Sequence, residues 1–290
     1  MSTAKILLIG LAILTIAFLA VFIKDLIDNK SKWESKTNFA VTSIIGFVVN
    51  FFDTLGIGSF APTTAALRFT KQVEDKLIPG TLNVACCIPV VAEAFLFIQG
   101  VEVEPVTLAS MLISSAAGAY LGAGIVSKLP TKKVQLAMGF ALAVTGIIVV
   151  LQLLKIFPGG GEAIGLHGSK LVIGIVANFI LGALMTAGIG LYAPCMALVY
   201  LLGMSPLVAF PIMMGSCAYL MPVASIKFVK EGAYNRKTSL AFTIFGVAGV
   251  YVAYKFISGI DLTILKWIVV GVMAYTSASL FMAASKKQTA

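Results

Sequence analysis

Two nearly identical motifs interrupt long apolar segments of this chain at corresponding places. One reads Gly-Ile-Gly-Ser-Phe-Ala-Pro from Gly56 to Pro62, and the other reads Gly-Ile-Gly-Leu-Tyr-Ala-Pro from Gly188 to Pro194. A helix broken in hydrocarbon leaves unpaired backbone groups, so such a break is tolerated only against protein or beside a water-filled cavity. Breaks that recur in two halves of a membrane protein point to a transport site.

The rest of the chain has the composition of a helical membrane protein. Hydrophobic residues make up 59% and charged residues 11%, and apolar runs long enough to cross a bilayer recur along the whole sequence. We therefore predict an all-α polytopic membrane protein whose residues 1–290 form one membrane domain. The uninterrupted spans are predicted at residues 5–27, 79–99, 105–127, 132–157, 206–229, 237–257 and 263–284, and the interrupted segments at 39–67 and 171–203.

Several classes of function are disfavoured. The net charge of +9 comes from basic residues in short loops, where they contact lipid head groups, so nucleic acid is not an expected partner. Cys86, Cys87, Cys195 and Cys217 lie in apolar segments and are interpreted as packing residues. The single histidine, His167, lies in a loop, so we predict no metal site, no cofactor and no enzyme activity.

The distribution of Lys and Arg predicts the topology. Most of the basic residues fall on one side only if both interrupted segments enter and leave the membrane on the same side, as helical hairpins. This arrangement places the N-terminus outside and the C-terminus in the cytoplasm of a cell-membrane protein. The first hairpin then enters from the cytoplasm and the second from outside.

The two halves are expected to be inverted repeats. One constant offset in residue number, called the repeat offset below, aligns Gly56 with Gly188 and Pro62 with Pro194, and the match continues through three further spans. We predict an extra helix at 5–27, a first repeat at 39–157, a flexible linker at 158–169 and a second repeat at 170–284. Each repeat consists of a broken-helix hairpin and three transmembrane helices.

The motifs in these repeats resemble those of the TauE/SafE family of sulfite and organosulfonate exporters. The resemblance covers about residues 39–284 and is carried by GFVVNFFDTLGIGSFAP, its copy ANFILGALMTAGIGLYAP, and GAYLGAGIVSKLPTKKVQLAMGFALAVTGIIVV. It implies a membrane transporter for sulfur-bearing anions. The sulfur chemistry of the cargo follows from the resemblance alone.

The residues themselves also favour an anion. We expect a short helix to begin at Pro62 and another at Pro194, so that the free N–H groups of the following residues, Thr63 and Cys195 among them, point towards the breaks. Hydroxyl and amide groups nearby add donors, although a hydroxyl can instead bond its own helix and Asn50 and Asn178 can instead hold the breaks. The candidate substrate-binding residues are Asn50, Thr54, Ser59, Thr63, Thr64, Asn83, Asn178, Thr186, Tyr192, Cys195 and Ser216.

Two carboxyl groups are candidates for proton coupling. Asp53 lies near the tip of the first hairpin and Glu93 within the span 79–99, and no Lys or Arg lies in the middle of any predicted span. Ionisable groups inside a membrane are costly and by default functional, so we expect each to carry a proton for part of the time. The alternatives are that Glu93 is hydrated at the outer mouth and that Asp53 caps the broken hairpin.

The sequence therefore predicts a secondary transporter that moves small organic or inorganic anions, with proton coupling as an option. An anion channel or a carboxylate transporter on the same scaffold is the alternative. Gly118, Gly122 and Gly124 have the spacing of closely packed helices, either within one chain or between the chains of a homodimer.

Overall fold

The computed structural model describes residues 3–97, 102–156, 161–256 and 263–285. Residues 158–160 of the predicted linker, and Lys286 and Lys287, which contribute to the predicted topology, lie outside the described residues. The first helices are α1 (Thr3–Asp28), α2 (Phe39–Thr54), α3 (Phe60–Phe69), α4 (Ile78–Phe97), α5 (Pro105–Val126) and α6 (Thr131–Leu153). They are followed by α7 (Gly168–Met185), α8 (Tyr192–Leu201), α9 (Pro206–Lys230), α10 (Arg236–Phe256) and α11 (Thr263–Ser285).

The predicted class of an all-α polytopic membrane protein is confirmed. Within the described ranges, 8 helices are long and apolar enough to cross a membrane, namely α1, α4, α5, α6, α7, α9, α10 and α11. The remaining apolar helices are shorter: α2 has 16 residues, and α3 and α8 have 10 each. The short helices adjoin the two breaks, as the sequence predicts.

The helices fall into two corresponding sets, α2–α6 and α7–α11. The repeat offset that relates Gly56 to Gly188 carries both ends of α3 onto those of α8, and both ends of α6 onto those of α11. Left-handed backbone recurs at the same offset, because Gly56 (φ +86°) corresponds to Gly188 (φ +101°) and Lys71 (φ +55°) to Gly203 (φ +84°). The repeated sequence thus adopts a repeated local structure.

Each packing contact made by a helix of one set is repeated by the corresponding helix of the other set, and we call this the exchange pattern. Helix α2 packs against α10 and α7 against α5; α4 packs against α10 and α9 against α5; α3 packs against α11 and α8 against α6. The pairs α4–α9 and α6–α11 join corresponding helices directly. Each contact therefore reappears when the two sets are exchanged. The inversion of one set relative to the other stays a prediction.

Glycines allow the closest helix approaches inside the chain. A Cβ on Gly118 of α5 would lie 1.9 Å from the carbonyl oxygen of Phe179 on α7, and a Cβ on Gly182 would lie 2.1 Å from the carbonyl oxygen of Ser115. On the other pair, a Cβ on Gly249 of α10 would lie 2.3 Å from the Phe47 carbonyl oxygen on α2. The small residues of α5 thus pack within one protomer, and a homodimer stays a prediction.

We expect Gly118→Ala to destabilise the protein by about 1–3 kcal/mol, because the added methyl group overlaps backbone atoms that cannot move alone. Gly124→Ala is the matched control on the same helix, since its Cβ would meet only the flexible end of Lys227 at 3.3 Å. Thermal unfolding of the purified protein in detergent measures both. Equal melting temperatures for the two variants would contradict this packing.

The described part of the linker is hydrogen-bonded to neighbouring elements, contrary to the prediction that it is flexible. The N–H of Gly161 donates to the carbonyl of Met204, and the N–H of Glu104 donates to the carbonyl of Ile164, both at 2.9 Å. The N–H of Leu166 donates to the Thr107 hydroxyl at 2.8 Å. These bonds fasten the linker to the start of α5 and to the loop after α8.

Glu104 caps the N-terminus of α5. Its carboxylate accepts hydrogen bonds from the backbone N–H of Val106 at 3.1 Å and of Thr107 at 2.7 Å. Hydrogen bonds from the Thr107 hydroxyl and backbone hold the pKa of Glu104 below its usual value. Because the folded pKa is the lower one, the stabilisation is complete above the unfolded pKa of about 4.3 and is lost as the pH falls through the folded pKa.

Glu104→Ala should therefore lower the free energy of unfolding by about 1 kcal/mol near neutral pH, the usual effect of losing an N-cap. The difference from wild type should shrink as the solution is acidified. Glu102→Ala removes a neighbouring exposed carboxylate and should leave the unfolding free energy unchanged. Denaturant unfolding as a function of pH measures the three proteins. A Glu102 variant as destabilised as the Glu104 variant would refute the cap.

Candidate functional site

The two breaks are short turns that depend on glycine. In the first, α2 ends at Thr54 and α3 begins at Phe60, and Gly56 and Gly58 between them have φ of +86° and +88°. In the second, Gly188 has φ of +101°. Residues with a side chain rarely adopt this left-handed backbone conformation, so glycine lets the chain reverse within a few residues. The repeated glycines thus set where each helix stops.

The short helices begin two residues earlier than predicted, at Phe60 and Tyr192. As a result, the N–H of Thr63 donates to the Ser59 carbonyl at 3.0 Å and that of Cys195 to the Leu191 carbonyl at 2.9 Å. The prediction that these N–H groups are free is wrong, and helix geometry pairs those of Thr64 and Met196 in the same way.

The N–H groups without an intrahelical partner belong instead to the first residues of the helices. These are Phe60 and Ala61 of α3 and Tyr192 and Ala193 of α8. Pro62 and Pro194 occupy the third helical position, where a missing N–H removes no intrahelical bond. The N–H groups without an intrahelical partner therefore lie closer to the breaks than the sequence indicated.

Glu93 of α4 joins the two breaks. Its side chain is fully buried. The Thr54 hydroxyl, at the end of α2, lies 2.9 Å from Oε1, and the Tyr192 hydroxyl, at the start of α8, donates to Oε2 at 3.0 Å. One carboxyl group thus contacts both broken segments. The alternative that Glu93 is hydrated at an outer mouth is wrong for this structure.

Asp53 lies beside Glu93. Its side chain is 1% exposed, and its carboxyl group lies near Ser59 across the first break. Its carboxyl group is close enough to that of Glu93 for the two to interact electrostatically. Neither carboxyl forms an ion pair within the described part of the chain. We call Asp53, Thr54, Ser59, Glu93 and Tyr192 the central polar cluster.

The cluster has two complete hydrogen-bond arrangements. The Thr54 hydroxyl lies 2.8 Å from the Asn50 carbonyl oxygen as well as 2.9 Å from Glu93 Oε1, and it has one hydrogen to donate. If Glu93 is ionised, Thr54 donates to Oε1. If Glu93 is protonated, it donates to Thr54, which donates to Asn50, while Tyr192 still donates to Oε2. The two arrangements differ by one proton.

Other predicted site residues make bonds within or between helices. The Thr64 hydroxyl donates to the Phe60 carbonyl at 2.8 Å and the Thr186 hydroxyl to the Ala183 carbonyl at 2.6 Å, each inside its own segment. The amide nitrogen of Asn178 donates to the Met111 carbonyl at 2.8 Å and to the Ser216 hydroxyl at 2.9 Å. Asn178 and Ser216 thus join α5, α7 and α9 at a place separate from the cluster's own hydrogen bonds.

Four predicted site residues retain a buried oxygen without a hydrogen-bond partner among the described residues. The amide nitrogens of Asn50 and Asn83 donate to carbonyls one turn earlier, at 2.7 and 2.9 Å. The oxygens without a partner are Asn50 Oδ1, Thr63 Oγ1, Asn83 Oδ1 and Asn178 Oδ1. A buried polar atom of this kind has unused bonding capacity. Contact of these residues with solute stays a prediction.

Cys86 belongs to the surroundings of the cluster and was assigned to packing by the sequence analysis. The thiol is fully buried and lies close to Ser59, Asp53 and Glu93. Its position, seven residues before Glu93, is the signal that could have been used, because residues seven apart share a helix face. In the second set, Cys195 and Cys217 are also buried.

The fold and its buried polar cluster define a polytopic membrane protein with two broken helices joined at one carboxyl group. A family model described as sulfite exporter TauE/SafE matches residues 2–149 of the 290. The chain belongs to this family of transporters. Neither the curated proteins nor the solved structures contained a match.

Tyr192→Phe should lower the free energy of unfolding by about 1–3 kcal/mol, because it leaves a buried carboxyl oxygen without its donor. Tyr200→Phe is the matched control on α8, since that hydroxyl lies outside the central polar cluster. Thermal unfolding in detergent measures the variants. If both variants have the melting temperature of the wild-type protein, the bond between Tyr192 and Glu93 does not hold the second break.

Proposed function

We propose that this protein is a secondary transporter that moves small sulfur-containing anions, sulfite or organosulfonates, across the cell membrane by alternating access. The observation that carries the proposal is the contact of one buried carboxyl group, Glu93, with both broken segments. A group shared in this way makes the position of one break depend on the other. Membership of the TauE/SafE family supports sulfur-containing anions as cargo.

The exchange pattern of helix packing supports alternating access. In transporters built from inverted repeats, solute binds near the midplane between discontinuous helices while one repeat moves against the other. Here the pairs α4–α9 and α6–α11 form the contacts between corresponding helices. We propose that these contacts rearrange while Glu93 keeps the two breaks together around the solute.

The anion would be bound by the starts of α3 and α8. The N–H groups of Phe60, Ala61, Tyr192 and Ala193 have no intrahelical partner, and the helix dipoles add partial positive charge there. The unpartnered hydroxyl oxygen of Thr63, one turn further along α3, is a further candidate contact. These donors suit the oxygens of a sulfonate or sulfite.

Two ionised carboxyl groups beside that position would repel an anion, and the repulsion is strong in a site shielded from water. Protonation removes it. The central polar cluster can take up a proton on Glu93 without losing a hydrogen bond to Tyr192, as its two arrangements require. We therefore propose that a proton enters the site with the anion and that the two cross the membrane together.

The burial of the cluster favours a transporter over a channel. A channel needs a continuous polar path, whereas Asp53 and Glu93 are 1% and 0% exposed. Saturable exchange of labelled sulfite across proteoliposomes tests the proposal. Unlabelled sulfite and organosulfonates should compete, and acetate should not. Competition by carboxylates alone would instead support a carboxylate transporter, and non-saturating conductance would support a channel.

Glu93→Gln should abolish the acceleration of organosulfonate flux by acid on the anion-containing side, because glutamine imitates the protonated carboxyl group and cannot release a proton. An organosulfonate is the suitable probe since sulfite itself titrates near neutral pH. Asp53→Asn should reduce the same pH dependence. Glu162→Gln, on the exposed part of the linker, is the control and should behave as wild type.

The measurement is initial flux into proteoliposomes at several external pH values. Pure proton coupling requires that the Glu93 variant still exchanges anion for anion while its net flux no longer responds to pH. An unchanged pH dependence in both carboxyl variants would remove the central polar cluster from proton coupling.

A further inference from the structure

A cavity of about 840 Å³ lies at one mouth of the protein, beside the end of α3 that is remote from the break. Ala65, Arg68 and Phe69 of α3 form one wall, and Tyr275 and Ser279 of α11 form another. At 1.5 Å per residue, Ala65 stands about 7.5 Å along α3 from the first residue of that helix. The cavity therefore approaches the first break from one face of the membrane.

Arg68 is held rigidly in the wall of this cavity. Its Nε and Nη2 donate to the two carboxylate oxygens of Asp75 at 2.9 and 3.3 Å, and its Nη1 donates to the Ser279 hydroxyl at 3.1 Å. Gln135 donates to the same carboxylate at 2.8 Å. A guanidinium group has five N–H donors, so two remain without a partner among the described residues.

The cavity wall carries three acidic and three basic side chains. Glu34, Glu74 and Asp75 line it together with Arg68, Lys36 and Lys71. Asp75 is bonded to Arg68 and Gln135, and Glu34 accepts two backbone N–H groups at the start of α10, at 2.9 and 3.1 Å. Two of the three acidic side chains are thus held in place by hydrogen bonds to neighbouring groups.

The second set of helices lacks the equivalent arginine. At the repeat offset, Arg68 corresponds to Tyr200, Lys71 to Gly203 and Asp75 to Leu207. The exchange pattern of the fold therefore does not extend to these charged residues. The face that carries Arg68 is the one the charge distribution predicts to be cytoplasmic, where an exporter must collect its cargo.

We propose that this cavity is an initial docking site for a sulfur oxyanion, in which Arg68 binds the oxygens of sulfite or a sulfonate before the anion reaches the breaks. The proposal rests on the proposed transport function. Arg68 suits the role because a charged, fixed guanidinium binds oxyanions through paired hydrogen bonds. A phospholipid head group presents the same oxyanion chemistry, and the experiment separates it from the free anion.

Arg68→Gln should raise the KM for sulfite by about tenfold or more when sulfite is supplied on the Arg68 face, because a hydrogen bond to a charged group is lost. The KM measured from the opposite face should not change. Arg68→Lys should give an intermediate KM, since the charge stays and the paired geometry is lost. Initial rates in proteoliposomes of known orientation measure both faces.

Arg236→Gln is the matched control. It removes the other arginine of the chain from an ion pair with Asp25 of similar length, 2.7 against 2.9 Å, and similar side-chain exposure, 12% against 15%. The control should lower the melting temperature without changing KM on either face. If Arg68→Gln also lowered the melting temperature without changing KM on either face, Arg68 would be merely structural and the proposal would be overturned.

Two further outcomes are decisive. If Arg68→Gln changes KM only in vesicles that contain phosphatidylglycerol, the cavity binds a lipid head group and the proposal is wrong. If the wild-type protein carries no sulfite at all, the transport function fails, and calorimetric titration with sulfite then tests the docking site alone. Binding that weakens in Arg68→Gln and persists in Arg236→Gln would support docking, and equal binding in the three proteins would refute it.

Discussion

The arrangement of this protein depends on one buried carboxyl group that serves two broken helices. Glu93 is hydrogen-bonded to the Thr54 hydroxyl at the end of α2 and to the Tyr192 hydroxyl at the start of α8. Leaving either oxygen of a buried carboxyl group without a hydrogen-bond partner is costly, so the two breaks must stay close to α4. The same bonds give the cluster two proton arrangements. A single group therefore joins the two breaks and, in the proposed transport function, provides a means of neutralising charge beside the anion.

The scaffold around this group is repeated, but its charged residues are not. Two corresponding pairs, α3 with α8 and α6 with α11, share both bounds at the repeat offset, and left-handed turns and packing partners recur at the same offset. Such a scaffold places a broken helix at the same position of each set. Charge does not follow the repeat, because Arg68 and Asp75 have Tyr200 and Leu207 as counterparts. In the proposed transport function, the symmetric part suits a change of access, and the asymmetric part marks the face on which the anion would dock.

The sequence predicted the features that local chemistry controls. Glycines that require left-handed backbone marked both breaks, and long apolar runs marked the spans. Helix starts were misplaced by two residues because proline is tolerated at several positions of a first turn. The contact between Glu93 and Tyr192 joins residues 99 apart in the chain, and no local pattern predicts it. Asn178 was a candidate for solute binding, yet its amide nitrogen joins three helices, which only packing reveals.

Calorimetric titration of the purified protein with an organosulfonate, in buffers of different ionisation enthalpy at one pH, counts the protons exchanged when the anion binds. Linkage requires that a site which neutralises itself for the anion takes up protons on binding. We predict uptake of about one proton per anion by the wild-type protein and none by Glu93→Gln. Anion binding without proton uptake by the wild-type protein, or equal uptake by the variant, would contradict the role given to Glu93.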